Sequence, residues 1–276
     1  MATWIESSVR ESEEEDALAS SAGRLNDFLA SLTMAAASAL LLDFDGTLAP
    51  FRVDPSKVRP WAGVTGILDE IQKTGGTRVI IISGRPAADV ASQLEAKITP
   101  EIWGLHGAER RYTDGSFEEE DLDSYQQQML SQARQAIHDA NLGVRVEEKR
   151  NAIVVHWRGK PAQSAQRIRL HAFDLLFPFA DGTTIKLLQF DGGLELRTGR
   201  NKGDAVRTIV AELPDDAPIA YLGDDLTDEH AFEALAGRGL PVLVRREWRP
   251  GAAQIWLRPP VQLREFLASW LRSTQR

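Results

Sequence analysis

The sequence feature that most constrains the fold of this chain is a series of short, unbroken apolar runs that alternate with helical segments. The runs at 39–42 and 79–82 have the length and the apolar character of strands that are buried on both faces. Similar runs return near the C-terminus, at 219–222 and 242–244. Strands that alternate with helices form a parallel sheet with helices on both faces. We therefore expect an α/β fold with a Rossmann-like, doubly wound parallel-sheet core.

The middle of the chain is predicted to have a different architecture. Two pairs of extended runs, each joined by a short polar or glycine-rich turn, are typical of β-hairpins. The predicted hairpins occupy 144–157 and 184–197, and helices are predicted at 124–140 and 161–176. We therefore expect a discontinuous core and an inserted α/β cap domain. The expected bounds are 17–111 and 196–276 for the core and 112–195 for the cap.

Composition excludes several classes of protein and site. The net charge of −8 is opposite to the basic surface of nucleic-acid-binding proteins. The absence of cysteine excludes disulfides, thiolate metal sites and cysteine nucleophiles. The most apolar stretch, at 34–42, is shorter than the roughly 20 residues that span a bilayer, and the acidic residues 1–16 do not resemble a secretory signal. We expect a cytoplasmic protein without a nucleic-acid or membrane partner, whose first 16 residues form a solvated tail.

Two carboxylates follow the first predicted strand directly. Asp43 is expected at the strand end and Asp45 on the loop after it, where Gly46 allows a tight turn. In an open parallel sheet, ligands bind in the crevice beyond the carboxyl ends of the strands. Such a pair can hold a hard divalent cation, or one carboxylate can attack phosphorus while the other moves protons. Taken alone, the pair is equally compatible with an acidic turn that only begins a loop.

Three further motifs are predicted to reach the same edge of the sheet. Ser83 follows the second strand, Lys202 opens the helix after the insert, and the acidic segment 223–229 follows the strand at 219–222. Hydroxyl and backbone N–H groups at a helix N-terminus bind phosphate oxygens, and a lysine neutralises them. Ser83 is also compatible with a helix cap, and Lys202 with a surface lysine. The four motifs together indicate a phosphoryl-transfer site.

The motifs DFDGT, ISGR, NKGD and GDDLTDE resemble those of the haloacid dehalogenase superfamily of phosphotransferases. More narrowly, the chain resembles trehalose-6-phosphate phosphatases over about 38–271. The segments that carry this resemblance are 40–50, 82–86, 104–111, 147–158, 194–197 and 221–229.

The resemblance implies a mechanism through an aspartyl-phosphate. Asp43 would be the nucleophile, and Asp45 would donate a proton to the leaving sugar oxygen and then accept one from water. Ser83 and Lys202 would bind the phosphoryl oxygens, and Thr47 would support the loop. The implied cofactor is Mg²⁺.

The resemblance also implies a set of magnesium ligands. These are the Asp43 carboxylate, the Asp45 backbone carbonyl and Asp224, while Asp225 or Asp228 would hold metal-bound water or position the lysine. Independently, no two of the five histidines have the i, i+4 spacing, which together with the absence of cysteine argues against a zinc site.

For the sugar, the resemblance implies residues from both domains. They are His106, Gly107 and Glu109 in the core, and Lys149, Glu195 and Arg197 in the cap. Carboxylates accept hydrogen bonds from sugar hydroxyls and cations donate to them, but the same side chains also suit surface ion pairs. The implied substrate is a small sugar phosphate, and the implied partner is a trehalose-6-phosphate synthase that acts in sequence.

Other functions stay open at this point. One is a phosphatase of the same superfamily that acts on sucrose phosphate or a glycosyl-phosphoglycerate. Another is a non-catalytic phospho-acceptor module, although such a module requires neither an insert nor Asp45. A third is a sugar-binding protein that has lost catalysis, which the presence of all four motifs disfavours.

Overall fold

The computed structural model describes residues 21, 23–52, 54–142, 144, 146–190 and 192–275. The predicted N-terminal tail lies outside these residues. The chain divides into two compact units, one of Met1–Phe117 with Asn201–Arg276 and the other of Glu118–Arg200. Among the described residues, no helix combines the length and the apolar character that crossing a bilayer requires.

The helices and strands follow in this order along the chain: α1 (23–34), β1 (Ser38–Leu42), α2 (Val64–Lys73), β2 (Thr77–Ile82), α3 (Ala87–Leu94), β3 (Glu101–Gly104), β4 (Glu109–Arg111), β5 (Phe117–Glu119), α4 (Ser124–Ala140), β6 (Val146–Glu148), β7 (Ala152–His156), α5 (Ala162–Leu176), β8 (Ile185–Phe190), β9 (Gly193–Thr198), α6 (Lys202–Ala211), β10 (Ile219–Gly223), α7 (Glu229–Leu235), β11 (Leu240–Val244), β12 (Ile255–Leu257) and α8 (Val261–Thr274).

The sheet of the first unit has the strand order of a doubly wound fold. Its strands lie in the order β12-β11-β10-β1-β2-β3-β4, and β5 continues this order at the unit boundary. All neighbouring pairs from β12 to β3 are parallel, whereas β3 and β4 are antiparallel. The chain leaves β1 towards β2 and β3 on one side and returns to β10 and its neighbours on the other. The strand order therefore reverses between β1 and β10, and ligands bind at such a switch point.

Strand β1 is buried on both faces, as its unbroken apolar sequence predicts. Successive side chains of a strand point to opposite faces of the sheet. Leu40 and Leu42 accordingly pack with residues of α2 and α8, while Ala39 and Leu41 pack with residues of α6 and α7. Full burial of one leucine side chain contributes about 1.5–3 kcal/mol. These two apolar layers fix β1 at the centre of the sheet, and with it the position of the residues that follow.

The second unit contains the two predicted hairpins, and all four of their strands form one antiparallel sheet. Its order is β6-β7-β9-β8, so the two hairpins join through β7 and β9. Side chains from one face of this sheet pack with α4 and α5 in a separate apolar core. The unit runs from Glu118 to Arg200, a few residues later at each end than the expected 112–195. The first boundary lies later because β5, which begins at Phe117, continues the first sheet after β4, and the second lies later because β9 extends to Thr198.

The strands that the sequence reasoning missed are β4, β5 and β12. Each contains only three residues. A run of that length is too short to show either period-two alternation or a continuous apolar stretch. These strands lie at or near the edges of the sheet, and of the predicted site residues they carry only Glu109, the first residue of β4.

Candidate active site

The residues predicted to meet at one edge of the sheet follow strands that are hydrogen-bonded neighbours. Asp43 follows β1 and Asp224 follows β10, and the Asp43 N–H donates to the Leu222 carbonyl at 2.8 Å. Ser83 follows β2, which pairs with β1 on its other side. Because all three strands are parallel, the three side chains start from the same edge. This edge contains the switch point between β1 and β10.

Lys202 lies inside the acidic cluster, not on the surface. Its Nζ donates to Asp43 Oδ1 at 2.6 Å and to Asp228 Oδ1 at 2.6 Å, and its side chain is 3% exposed. The lysine is the first residue of α6, whose start is fixed by a capping box between Asn201 and Asp204. The alternative of a solvated surface lysine is therefore wrong.

Asp228 organises the loop that follows β10. Its Oδ1 accepts hydrogen bonds from Lys202 and from the Tyr221 hydroxyl, the latter at 2.6 Å. Its Oδ2 accepts from the N–H groups of Asp224 and Asp225, both at 2.9 Å. Of the two roles that the sequence left open for Asp228, these contacts favour positioning of the lysine.

Asp224 approaches the loop after β1 so closely that only glycine fits opposite it. Gly46 has a φ of 92°, and a Cβ at this position would lie 2.2 Å from Asp224 Oδ2. One carboxylate oxygen from each of Asp43, Asp224 and Asp228 lies within 4.8 Å of the others. All three carboxylates are buried.

Burial and mutual repulsion perturb these carboxyl groups strongly. Burial raises the pKa of Asp43 to about 7, although the neighbouring Lys202 charge opposes the rise. Burial, together with the charge of Asp43, raises the pKa of Asp224 well above its usual range. Burial acts to lower the pKa of Lys202, but the charges of Asp228 and Asp43 outweigh it and hold the pKa above its ordinary value. The cluster thus has more negative charge than one ammonium group neutralises.

The cluster fits a divalent cation with oxygen ligands. Three buried carboxylates face one buried lysine, and Asp43 Oδ2 has no hydrogen-bond partner among the described residues. Buried polar atoms are almost always paired, so this oxygen is suited to bind a ligand. Oxygen donors of this kind match the preference of Mg²⁺. Asp43 and Asp224 could hold such an ion, whereas both oxygens of Asp228 already accept two hydrogen bonds each.

Ser83 and Thr47 lie buried in the loops around Asp43. Ser83 Oγ accepts a hydrogen bond from the Arg85 N–H at 3.1 Å, and its backbone groups bind Trp103 and His106. Thr47 Oγ1 is buried and has no hydrogen-bond partner within the described ranges. Both hydroxyls lie in the loops that follow β1 and β2, at the edge where the phosphoryl group is expected.

Asp45 forms an ion pair that the sequence reasoning missed. The Arg85 guanidinium donates to both carboxylate oxygens, through Nε at 2.5 Å and Nη2 at 2.6 Å. Arg85 Nη1 is itself held by the Pro55 carbonyl and the Gln93 side chain. The sequence shows that Arg85 directly follows the Ser83-Gly84 pair. This position does not reveal that the partner of the arginine is Asp45.

Two of the residues expected to bind sugar in the first unit, His106 and Glu109, contact the Ser83–Ala87 loop. A Cβ on Gly84 would lie 2.6 Å from His106 Nε2, so the buried imidazole packs against this loop. Glu109 Oε2 accepts a hydrogen bond at 2.7 Å from the N–H of Ala87, the first residue of α3. Gly107 takes a positive φ of 106° in the turn between these residues. Their binding of sugar stays a prediction.

The expected sugar-binding residues of the second unit form a cluster on its sheet. Lys149 Nζ lies 3.3 Å from Glu195 Oε1, and Arg197 Nη1 lies 3.5 Å from Glu195 Oε2. In the sheet, Val154 lies between Glu195 on one neighbouring strand and Glu147 on the other. Glu147 Oε2 lies 2.9 Å from His156 Nε2. These charged side chains occupy the face opposite the apolar core of the unit, because that core contains the alternate residues.

The chain matches a family model over most of its length. The model, described as trehalose-phosphatase, matches residues 41–249. The trehalose-phosphate phosphatases of Mycobacterium ulcerans and Mycobacterium marinum are 31% and 32% identical to it over 251 residues. Each alignment covers 83% of this chain and 60% of the relative, so the chain spans about three fifths of the length of these proteins.

Solved structures have the same fold. The C-terminal domain of the Candida albicans trehalose-6-phosphate phosphatase superposes with a TM-score of 0.73 at 22% identity, covering 91% of this chain and 96% of that one. The Aspergillus fumigatus trehalose-6-phosphate phosphatase gives a TM-score of 0.64 at 24% identity, covering 90% and 96%. Together with the sheet topology, these similarities confirm the predicted fold class. The match over residues 41–249 shows that the chain belongs to the trehalose-phosphatase family.

Proposed function

We propose that the chain hydrolyses trehalose 6-phosphate to trehalose and inorganic phosphate, with Asp43 as the nucleophile. The observation that carries the proposal is the buried cluster at the switch point, in which Lys202 bridges Asp43 and Asp228 beside Asp224. A carboxylate cannot approach a phosphate dianion unless cationic groups lie between them. Membership in the trehalose-phosphatase family supports the choice of sugar.

In the first step, an oxygen of Asp43 attacks phosphorus and the bond between phosphorus and the sugar oxygen breaks. The Asp45 carboxylate first leaves its ion pair with Arg85 and takes up a proton from solvent, and it then gives that proton to the leaving oxygen. The lysine ammonium has three N–H donors, and two of them bind Asp43 and Asp228, so the third donates to a phosphoryl oxygen.

In the second step, a water molecule attacks phosphorus and the bond to Asp43 breaks, which regenerates the carboxylate. Asp45 accepts the proton of that water. Ser83 donates to the phosphoryl oxygens, and Thr47 supports the loop around them, as both are buried at this edge. Such a site acts mainly through positioning and charge stabilisation, because a transferring phosphoryl group needs little covalent chemistry from the protein.

We propose that Asp43, the Asp45 carbonyl and Asp224 hold Mg²⁺. When bound, the ion would neutralise the carboxylates and the phosphate and bring them together. The buried carboxylates and the unpartnered Asp43 Oδ2 support this assignment.

In the second unit, the cluster around Glu195 would bind sugar hydroxyls. Glu195 accepts hydrogen bonds, while Lys149 and Arg197 donate them. The first-unit residues His106, Gly107 and Glu109 would contribute from the loop beside Ser83. A trehalose-6-phosphate synthase would supply the substrate.

The test is phosphate release from a panel of sugar phosphates with Mg²⁺ present. We expect the largest kcat/KM with trehalose 6-phosphate, against sucrose 6-phosphate, glucose 6-phosphate and glucosyl-phosphoglycerate. Asp43→Asn should abolish turnover while its circular dichroism spectrum stays the same. A chelator should abolish the activity of the protein without substitutions, and added Mg²⁺ should restore it. Turnover by the Asn variant, or full activity in the chelator, would contradict the proposal. A preference for another member of the panel would reassign the sugar.

A further inference from the structure

The two residues Asp224 and Asp225 are held by side chains at all four of their backbone polar groups. Both N–H groups donate to Asp228 Oδ2. The Asp224 carbonyl accepts from Arg245 Nη1 at 3.3 Å, and the Asp225 carbonyl accepts from Arg249 Nη2 at 2.9 Å. Both arginines belong to the segment after β11, the strand next to β10. The Asp225 carbonyl also accepts from the Asp228 N–H at 3.0 Å, so the loop is held both by its own Asp228 and by side chains of the segment after β11.

Arg249 is itself anchored and largely buried. Its side chain is 16% exposed and its Nη1 forms an ion pair with Glu229, the first residue of α7. The other oxygen of Glu229 accepts from the Ala252 N–H at 2.9 Å. A Cβ on Gly251 would lie 2.4 Å from Glu229 Oε1, so the segment after β11 packs directly on this carboxylate. An arginine held at two points can fix a carbonyl in a way that a flexible surface side chain cannot.

We propose that Arg249, assisted by Arg245, is a positioning residue for the cation site, which it acts on through the Asp224-Asp225 backbone. The inference rests on the proposed function and adds a residue to it. The Asp224 carboxylate approaches the backbone of Gly46 so closely that a small shift of its own main chain would displace it. Groups that orient the ligands of a metal site typically affect metal affinity by about 10–100-fold. Arg249 would act on Asp224 through the carbonyl of the next residue, Asp225, while Arg245 binds the Asp224 carbonyl itself.

Geometry and charge predict opposite effects when Arg249 is replaced. An arginine near a cation site repels the cation, so loss of the charge alone would tighten binding. Loss of positioning would weaken binding, because Asp224 would no longer be held in place. Arg246 provides the matched control, since it carries the same charge on the same segment but is exposed. The sign of the change therefore separates positioning from electrostatics.

The experiment is titration of the protein with Mg²⁺ in an isothermal calorimeter, without substrate. We expect the Kd for Mg²⁺ to rise about tenfold or more in Arg249→Gln, and to rise by less in Arg249→Lys, which keeps the charge but not the planar fork. Arg246→Gln should leave the Kd within about twofold of the unchanged protein, as expected for an exposed charge. Phosphate release by Arg249→Gln should recover as Mg²⁺ is raised, and its circular dichroism spectrum without Mg²⁺ should equal that of the unchanged protein, which a general loss of stability would not produce.

An unchanged or lower Kd in Arg249→Gln, with the unchanged protein binding Mg²⁺, would overturn the inference and leave the proposed function intact. The inference is likewise overturned if Arg246→Gln weakens Mg²⁺ binding as much as Arg249→Gln does. If Arg249→Gln does not fold, Arg249→Lys decides, and an affinity equal to that of the unchanged protein overturns the inference. Failure of the unchanged protein to bind Mg²⁺ would instead overturn the proposed cation site, and the inference with it.

Discussion

Gly46 shows how one residue links two loops that are far apart in sequence. The sequence predicts a tight turn here, and the positive φ of 92° agrees with that prediction. It does not predict that the missing Cβ makes room for the Asp224 carboxylate, because that contact joins residues 178 positions apart. Pattern reasoning recognises what a residue does to its own backbone, but not which distant atom occupies the space beside it.

A substitution at Gly46 tests this contact, with Gly63 as a matched control. Both glycines have a positive φ, 92° and 85°, but apart from the residues adjacent in the chain, no atom of the described residues lies within 4 Å of a Cβ at Gly63. Gly63→Ala should therefore lower the free energy of unfolding only by the cost of left-handed backbone, about 1–2 kcal/mol. Gly46→Ala should lower it further and weaken Mg²⁺ binding, since the added carbon displaces Asp224. Urea denaturation and calorimetry measure both effects, and equal results for the two variants would contradict the assigned contact.

Lys202 illustrates a charge whose surroundings the sequence could not specify. A lone lysine at the start of a helix is usually solvated, and its place among the four motifs, together with the family resemblance, suggested otherwise. The structure places it between Asp43 and Asp228, at 2.6 Å from each. The residues that complete its environment, Tyr221 and Asp228, lie on and after β10. Tyr221 gave one weak signal, a hydroxyl on an otherwise apolar strand.

Among the elements, strands with long apolar runs were predictable and short ones were not. The runs that became β1 and β2 are buried on both faces, so their sequence needs no alternation. The predicted helix at 124–140 has the same bounds as α4, since Asp123 caps its start and Asn141 ends it. The antiparallel strand β4 escaped prediction because three residues with charged side chains carry no periodicity.

The turn before β8 offers a test at the level of a single element. Asp181 Oδ1 accepts hydrogen bonds from the N–H groups of Thr183, Thr184 and Ile185, at 2.7, 2.8 and 2.9 Å. These bonds favour the ionised carboxylate and hold the pKa of Asp181 well below its ordinary value. The stability they contribute is therefore present above the unfolded-state pKa, roughly 4, and is lost as the pH falls below it.

We expect Asp181→Asn to lower the free energy of unfolding at pH 7, because the neutral amide accepts these bonds less strongly. The difference from the unchanged protein should shrink as the pH falls from about 5 towards 2, since over this range Asp181 takes up a proton in the unfolded chain and stays ionised in the folded one, which favours unfolding of the unchanged protein. Urea denaturation at a series of pH values measures the difference. A gap that stays constant over this range would show that the carboxylate charge does not stabilise the turn.

For the whole molecule, the sequence predicted the discontinuous core but not its limits. Motifs separated by more than 150 residues, at Asp43 and Lys202, meet within the first unit because β1 and β10 pair at the centre of one sheet. The order of strands explains why the motifs at Asp43, Ser83 and Asp224 reach one edge, and Lys202 reaches the same site from the start of α6. The unit boundaries depend instead on which short strands pair with which sheet, and that pairing leaves no pattern in the sequence.

The central claim is that Asp43 accepts the phosphoryl group. The most direct measurement is acid quenching of the protein during turnover of trehalose 6-phosphate, followed by borohydride reduction and peptide mass spectrometry. An aspartyl-phosphate is reduced to homoserine, whereas a free carboxylate is not. The account predicts homoserine at residue 43 alone, and none in Asp43→Asn. Homoserine at another position, or at no position in samples quenched while the phosphorylated enzyme accumulates, would contradict it.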